Sequence, residues 1–128
     1  MSQEIVERLR RAYAGERDPA LLAPDFELHQ SPSIIDTDGV FRGRTAFRDV
    51  QVELAESFED MSWEPEQIIE APGGEIVVLV RALGRGRGSG IEIDNHIAHV
   101  WSFRGNASVR MVVYEEQADA LKAVGVDE

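Results

Sequence analysis

The chain has 128 residues, 43% of them hydrophobic, which suits one domain built around one core. Thirteen basic residues against 24 acidic ones leave a net charge of -11, a surface that repels phosphate backbones and anionic lipid, so nucleic-acid and membrane partners are not expected. There is no cysteine, which excludes disulfides, thiolate nucleophiles and zinc–cysteine sites.

The N-terminal residues are charged and amphipathic rather than a signal-peptide run, and a cytoplasmic location is expected. The longest unbroken apolar run, Ile76–Val80, falls far short of the ~20 residues a membrane span needs.

The spacing of Ile5, Leu9, Ala12 and Tyr13 predicts a helix over Ser2–Ala14, capped by Ser2 and ended by Gly15. Asp18-Pro19 starts a short helical turn through Leu22. Asp25–Gln30 alternates as a strand, and Ser31–Gly43 is a loop rich in Ser, Pro, Asp and Gly. In that loop Asp36 and Asp38 are turn residues or part of a lid. Phe47, Val50, Leu54 and Phe58 predict a helix over Thr45–Phe58 with Thr45 as cap.

Four strands follow: Ser62–Glu70, Glu75–Arg87, Ile91–Arg104 and Ala107–Glu115. Their short glycine-containing connections join antiparallel neighbours, because a parallel crossover needs a dozen residues or more. A last helix, Ala118–Val124, stops at Gly125. The order implies an α+β domain, residues 1–128, with helices over one face of a curved antiparallel sheet.

Ile91–Phe103 separates into two faces at the period of a strand. One face carries Ile91, Ile93, Asn95, Ile97, His99, Trp101 and Phe103: an apolar, aromatic stripe interrupted by two polar groups, the composition of a small-molecule pocket. His99 is the candidate proton carrier. In an apolar stripe its cation is disfavoured, so its pKa falls and a neutral imidazole is available for acid–base work. The alternative is a core histidine bonded to a neighbouring oxygen. Asn95 would line the far end of the same pocket or satisfy a bulge, and Trp101 and Phe103 would stack on a ring-shaped ligand or fill the core.

On the first strand Phe26, Leu28 and Gln30 form the more apolar set, which favours Gln30 inward and His29 outward; a bulge near Pro32 would reverse this, which keeps His29 as a second candidate base. Tyr13 extends the apolar face of the first helix and could donate a hydrogen bond to a ligand carbonyl. Arg81, if inward, would clamp a carboxylate or enolate; if outward, it would pair with the acidic row of the next strand. Gly84-Arg-Gly-Arg-Gly-Ser-Gly90 lacks the spacing and helix context of a phosphate loop. His96 and His99, three apart on a strand, point to opposite faces, so no metal site is expected.

Four segments, Tyr13-Ala-Gly, Leu22-Ala-Pro-Asp-Phe-Glu-Leu-His29, Phe41-Arg-Gly-Arg-Thr-Ala-Phe47 and Ala98-His-Val-Trp-Ser-Phe103, make the chain resemble the SnoaL-like branch of the NTF2-like superfamily, which includes ketosteroid isomerase. The resemblance implies a cone-shaped fold: a curved sheet wrapped around N-terminal helices with a pocket between them. It also implies a homodimer through the outer sheet face. His99 aligns with the oxyanion-stabilising aspartic acid of ketosteroid isomerase. The general base of that enzyme falls near Gln30 or Ser31, and its tyrosine near Arg8, so its mechanism does not carry over. The expected activity is the binding of a small apolar organic molecule. Where there is turnover, it is cofactor-free isomerisation, cyclisation or hydration at a carbonyl compound; the alternative is a non-catalytic binding or dimerisation module. With no nucleotide, flavin or metal motif, no cofactor is implied.

Overall fold

The structure, a computed structural model, describes residues 2–30 and 40–126, without the side chain of Ser2. Asp36 and Asp38, and so the lid expectation, lie outside the described residues. The helices are α1 (Ser2–Tyr13), α2 (Ala46–Ala55) and α3 (Gln117–Ala123), with a short 3₁₀ turn at Pro19–Leu21. The strands are β1 (Leu22–His29), β2 (Val40–Arg42), β3 (Phe58–Glu70), β4 (Ile76–Gly86), β5 (Glu92–Arg104) and β6 (Ala107–Tyr114).

They form one open sheet in the order β2-β1-β6-β5-β4-β3. The predicted meander is present, since β3, β4, β5 and β6 pair antiparallel in series. Gly105, at φ 65°, makes the tight β5–β6 turn that an L side chain would resist. The sheet as a whole is mixed, because β1 runs parallel to β6, Leu28 beside Met111 and His29 beside Val112. The expected loop also yields an edge strand, β2, antiparallel to β1.

Strands β3 and β5 have 13 residues each, and the irregularities that bend them are visible. In β3 the register shifts between Glu59 and Ser62, where Asp60 takes φ 58°, and again between Pro65 and Gln67. Pro65 has no N–H to give, and it sits on an edge strand, where none is needed on the outer side. Gly84 of β4 lets the β3 bulge come close. A Cβ there would lie 2.2 Å from Met61 Sδ and 3.2 Å from both Met61 Cα and the Glu59 carbonyl. Gly84→Ala is therefore expected to cost about 1–2 kcal/mol in urea unfolding, the scale of forced repacking. An unchanged midpoint would mean that the bulge gives way freely.

The inner sheet face is the core. Val78 and Val80 of β4, Trp101 of β5, Met111 of β6 and Phe26 and Leu28 of β1 pack against Ile5 and Leu9 of α1 and Val50 and Leu54 of α2. Each helix presents its apolar residues four apart, so a single stripe is buried. Helix α2 ends at Ala55, three residues earlier than its apolar spacing suggested; Phe58 instead packs inward from the start of β3. Thr45 donates its hydroxyl to the Asp49 carboxylate at 3.0 Å rather than capping the helix backbone.

The opposite face is not bare. Val77, Ala98 and Val100 are apolar on that side too, and α3 covers them with Ala120 and Leu121. Only the first two helices therefore share the inner face.

Candidate functional site

Between α1, α2 and the inner sheet face lies a cavity of about 770 Å³, a size that suits a small organic molecule. Its depth is apolar: Leu28, Val50, Leu54, Ile97, Trp101 and Met111 are all buried and all line it. Its rim is polar and exposed, with Glu16, Gln51, Ser62, Glu64 and Asn95. Among the described residues the lining contains three carboxylates, Glu16, Asp18 and Glu64, and no lysine or arginine. Asp18 is held by Arg8 Nε at 2.8 Å, which keeps its carboxyl below the usual range.

His99 sits deep in this cavity, 6% exposed. The alternation of β5 puts it there: Val78 is its partner on β4 and Val113 its partner on β6, both buried. Burial pushes its pKa down from 6.5 to about 4, because the imidazolium would lose its hydration without gaining an anion. The ring is neutral at pH 7.

Two other side chains meet it. Tyr13, at the end of α1, places its hydroxyl 2.5 Å from His99 Nδ1. Trp101 Nε1–H, two residues along β5, donates to the same hydroxyl oxygen at 3.1 Å. Tyr13 is also desolvated, which raises its pKa well above the ordinary 10, so the phenol keeps its proton. The indole is held by stacking on Phe47 at 5.7 Å between ring centroids. His99 Nε2 has no hydrogen-bond partner among the described residues, and the ring lines the cavity.

Gln30 lines the cavity as its alternation with Leu28 predicted, and its Oε1 is buried without a partner. His29 points away and pairs with Glu27 at 2.9 Å. Asn95 lines the cavity at its exposed end, at the other end of the stripe from His99.

Two expected lining residues are elsewhere. Arg81 is on the outer face, because its neighbours Val80 and Ala82 turn inward; its Nε and Nη2 bind the Asp94 carboxylate at 2.8 and 2.7 Å. Phe103 stays on the side of Trp101 but lies past the end of the cavity, beyond a register shift after Ser102; it stacks behind Trp101 at 6.4 Å and packs against the core. Ile91 is likewise 68% exposed, since the strand begins one residue later. His96 is on the outer face, 3.0 Å from Glu66, and no cluster of three metal-binding side chains exists among the described residues.

Other wall residues were not singled out from the sequence. Met61 and Trp63 alternate inward on β3, a signal present in the period of two but blurred by the bulges on either side. Glu16 and Asp18 come from the turn after α1 and Glu64 from β3, and no pattern in the sequence joined the three carboxylates.

No curated protein of described function matches the sequence. Solved structures do. An NTF2-like protein of unknown function from Burkholderia pseudomallei superposes with a TM-score of 0.73 at 21% identity, over 94% of this chain and 96% of the other. TerC, co-crystallised with polyporic acid, gives 0.73 at 18% identity, over 94% and 98%. A protein from Catenulispora acidiphila with a ketosteroid isomerase-like fold, in complex with trimethylamine, gives 0.65 at 17% identity, over 97% and 94%. At these identities the likeness establishes the cone-shaped NTF2-like fold. Residues 6–111 match the SnoaL-like domain family, and the chain belongs to it.

Proposed function

We propose that the cavity binds a neutral, largely apolar organic molecule carrying a carbonyl oxygen, and that His99 meets that oxygen. The observation that carries this reading is the neutral imidazole, deep in an apolar cavity of about 770 Å³, with its Nε2 nitrogen unclaimed among the described residues. A polar atom that faces an apolar cavity without a protein partner favours a ligand that supplies one, which then gains affinity and orientation. Gln30 Oε1, also unpartnered, suits a hydroxyl or amide N–H on the same ligand. The rim carboxylates and the net charge of -11 disfavour anions. Turnover here is cofactor-free acid–base chemistry at the carbonyl compound: isomerisation, cyclisation or hydration. The reading includes a cytoplasmic location and a homodimer through the outer sheet face, which carries Arg81, Asp94 and His96.

One observation favours a second reading, a binding module without turnover. His99 is the only titratable side chain other than Tyr13 buried in the depth of the cavity among the described residues, and proton abstraction from carbon needs a base. A thermal-shift comparison tests binding. 2-Acetylnaphthalene at ~100-fold excess over its Kd stabilises by about 2.7 kcal/mol, a rise of several degrees, while 2-naphthoate, of similar shape but anionic, leaves Tm unchanged. A carboxylate that binds as well as the ketone overturns the reading. Incubation of the bound ketone in deuterium oxide then separates the two: exchange at carbon beside the carbonyl requires turnover, and binding without exchange marks the module.

A further inference from the structure

We infer that Trp101 and Tyr13 are positioning residues that lock His99 in its Nε2–H tautomer, so that the imidazole faces the cavity as a hydrogen-bond donor and not as a base. This deepens the proposed carbonyl-binding reading by assigning the polarity of its central group.

The direction of the chain follows from its first link. An indole nitrogen only donates, so the Tyr13 oxygen accepts the proton of Trp101 Nε1 at 3.1 Å. The phenol has one proton of its own, and the one acceptor within reach is His99 Nδ1 at 2.5 Å. If Nδ1 carried a proton instead, two donors would converge on the Tyr13 oxygen. The phenolic proton would then be left without an acceptor among the described residues. A buried orphan donor of that kind disfavours the arrangement by about tenfold or more. Nδ1 is therefore the acceptor, and the neutral ring carries its proton on Nε2.

The chemical consequence is specific. The nitrogen that can reach a ligand has a proton to share and no lone pair to offer. The nitrogen with the lone pair is covered by Tyr13. A fixed N–H in the apolar depth of the cavity suits a carbonyl oxygen, and suits it better as negative charge develops there. It does not suit a C–H bond awaiting deprotonation. The indole that sets this polarity is not free to swing, since its ring lies against Phe47 and Phe26.

Nitrogen-15 NMR of the full-length protein without ligand tests the inference. The chain has three histidines, and the signals that vanish in His99→Gln belong to His99. The wild type is expected to show His99 protonated at Nε2 and bare at Nδ1, with the other tautomer below about a tenth. In Tyr13→Phe the acceptor link is gone, and the Nδ1–H form is expected to rise at least several-fold. Trp101→Phe removes the indole N–H and frees the Tyr13 oxygen to accept from Nδ1–H. The phenolic proton still has only Nδ1 to bond there, so the shift runs the same way but is smaller; where Tyr13→Phe does not fold, the wild-type assignment alone decides. A proton found on Nδ1 in the wild type overturns the inference. So does an unchanged tautomer ratio in a Tyr13→Phe variant that keeps a dispersed amide spectrum. A ring that is merely packed would move stability but not this ratio. Failure of the carbonyl-binding reading is a separate result: 2-acetylnaphthalene then leaves the His99 signals where they were while the tautomer stays locked.

Discussion

Trp101→Ala is expected to remove about 3–5 kcal/mol from the unfolding free energy, the largest loss foreseen for a single substitution in this chain. The indole is 3% exposed and sits where three groups of side chains converge. Phe47 of α2 stacks on it at 5.7 Å, Phe26 of β1 lies 6.4 Å away and Phe103 backs it at 6.4 Å. Truncation strips the helix layer of its main contact with the centre of the sheet. It also strands the Tyr13 hydroxyl, which loses the N–H it accepts. Trp101→Phe keeps much of the ring packing and loses chiefly the hydrogen bond and the volume difference, at about 1–2 kcal/mol. Urea unfolding monitored by the fluorescence of Trp63, the remaining tryptophan, reads both values. Should the alanine variant lose less than about 1 kcal/mol, the cavity wall is held by something other than this aromatic cluster.

The position of Trp101 was readable from the stripe it shares with Ile93, Ile97 and His99; the opposite face is polar from Glu92 to His96, although from Ile97 to Trp101 both faces are buried. Gln30 was placed correctly for the same reason, through Phe26 and Leu28. β4 gave no such help. Ile76–Val80 is apolar on both sides because the helix layer covers one side and α3 the other, so the alternation that would have fixed the direction of Arg81 is erased. Phe103 was placed on the right face, since it packs with Trp101 against the core, but nothing in the sequence showed that the cavity ends before it.

The parallel pairing of β1 with β6 joins segments some eighty residues apart in the chain. Short turns signal antiparallel neighbours; a long-range parallel contact has no local signature. The chain from Trp101 through Tyr13 to His99 is hidden in the same way. Each residue was legible as part of an apolar face, but Tyr13 is 86 positions from His99, and only the packing of α1 across the cone brings the hydroxyl to the imidazole. Candidate residues were thus readable where local periodicity was intact, and their partnerships were not.

That buried imidazole makes stability depend on pH in a window of its own. The unfolded chain binds a proton at His99 as pH falls through 6.5, while the folded chain resists until about 4. Below 6.5 the unfolded state therefore holds more protons and gains free energy relative to the native state. Folding stability is undiminished above 6.5, declines as pH drops from 6.5 to 4 and levels off below that as far as this group is concerned. The full loss is of order 3 kcal/mol, from about 1.36 kcal/mol per unit of pKa. The salt-bridged carboxylates act lower. Asp18, Asp25, Glu27 and Asp94 all have depressed pKa values, so their contributions are present above the ordinary carboxylate range and lost only beneath it. His99→Phe isolates the effect. It keeps an aromatic ring in the site and costs about 1–3 kcal/mol at pH 7, because the Tyr13 hydroxyl loses its acceptor. It has no proton to take up, so its stability curve stays flatter between pH 6.5 and 4.5. His29 and His96 are the same in both proteins and cancel in the difference. Urea midpoints of wild type and variant are therefore expected to converge as pH falls through this window. Parallel curves would show that the imidazole titrates alike in the folded and unfolded chains, and that it is not enclosed in the apolar depth of the cone.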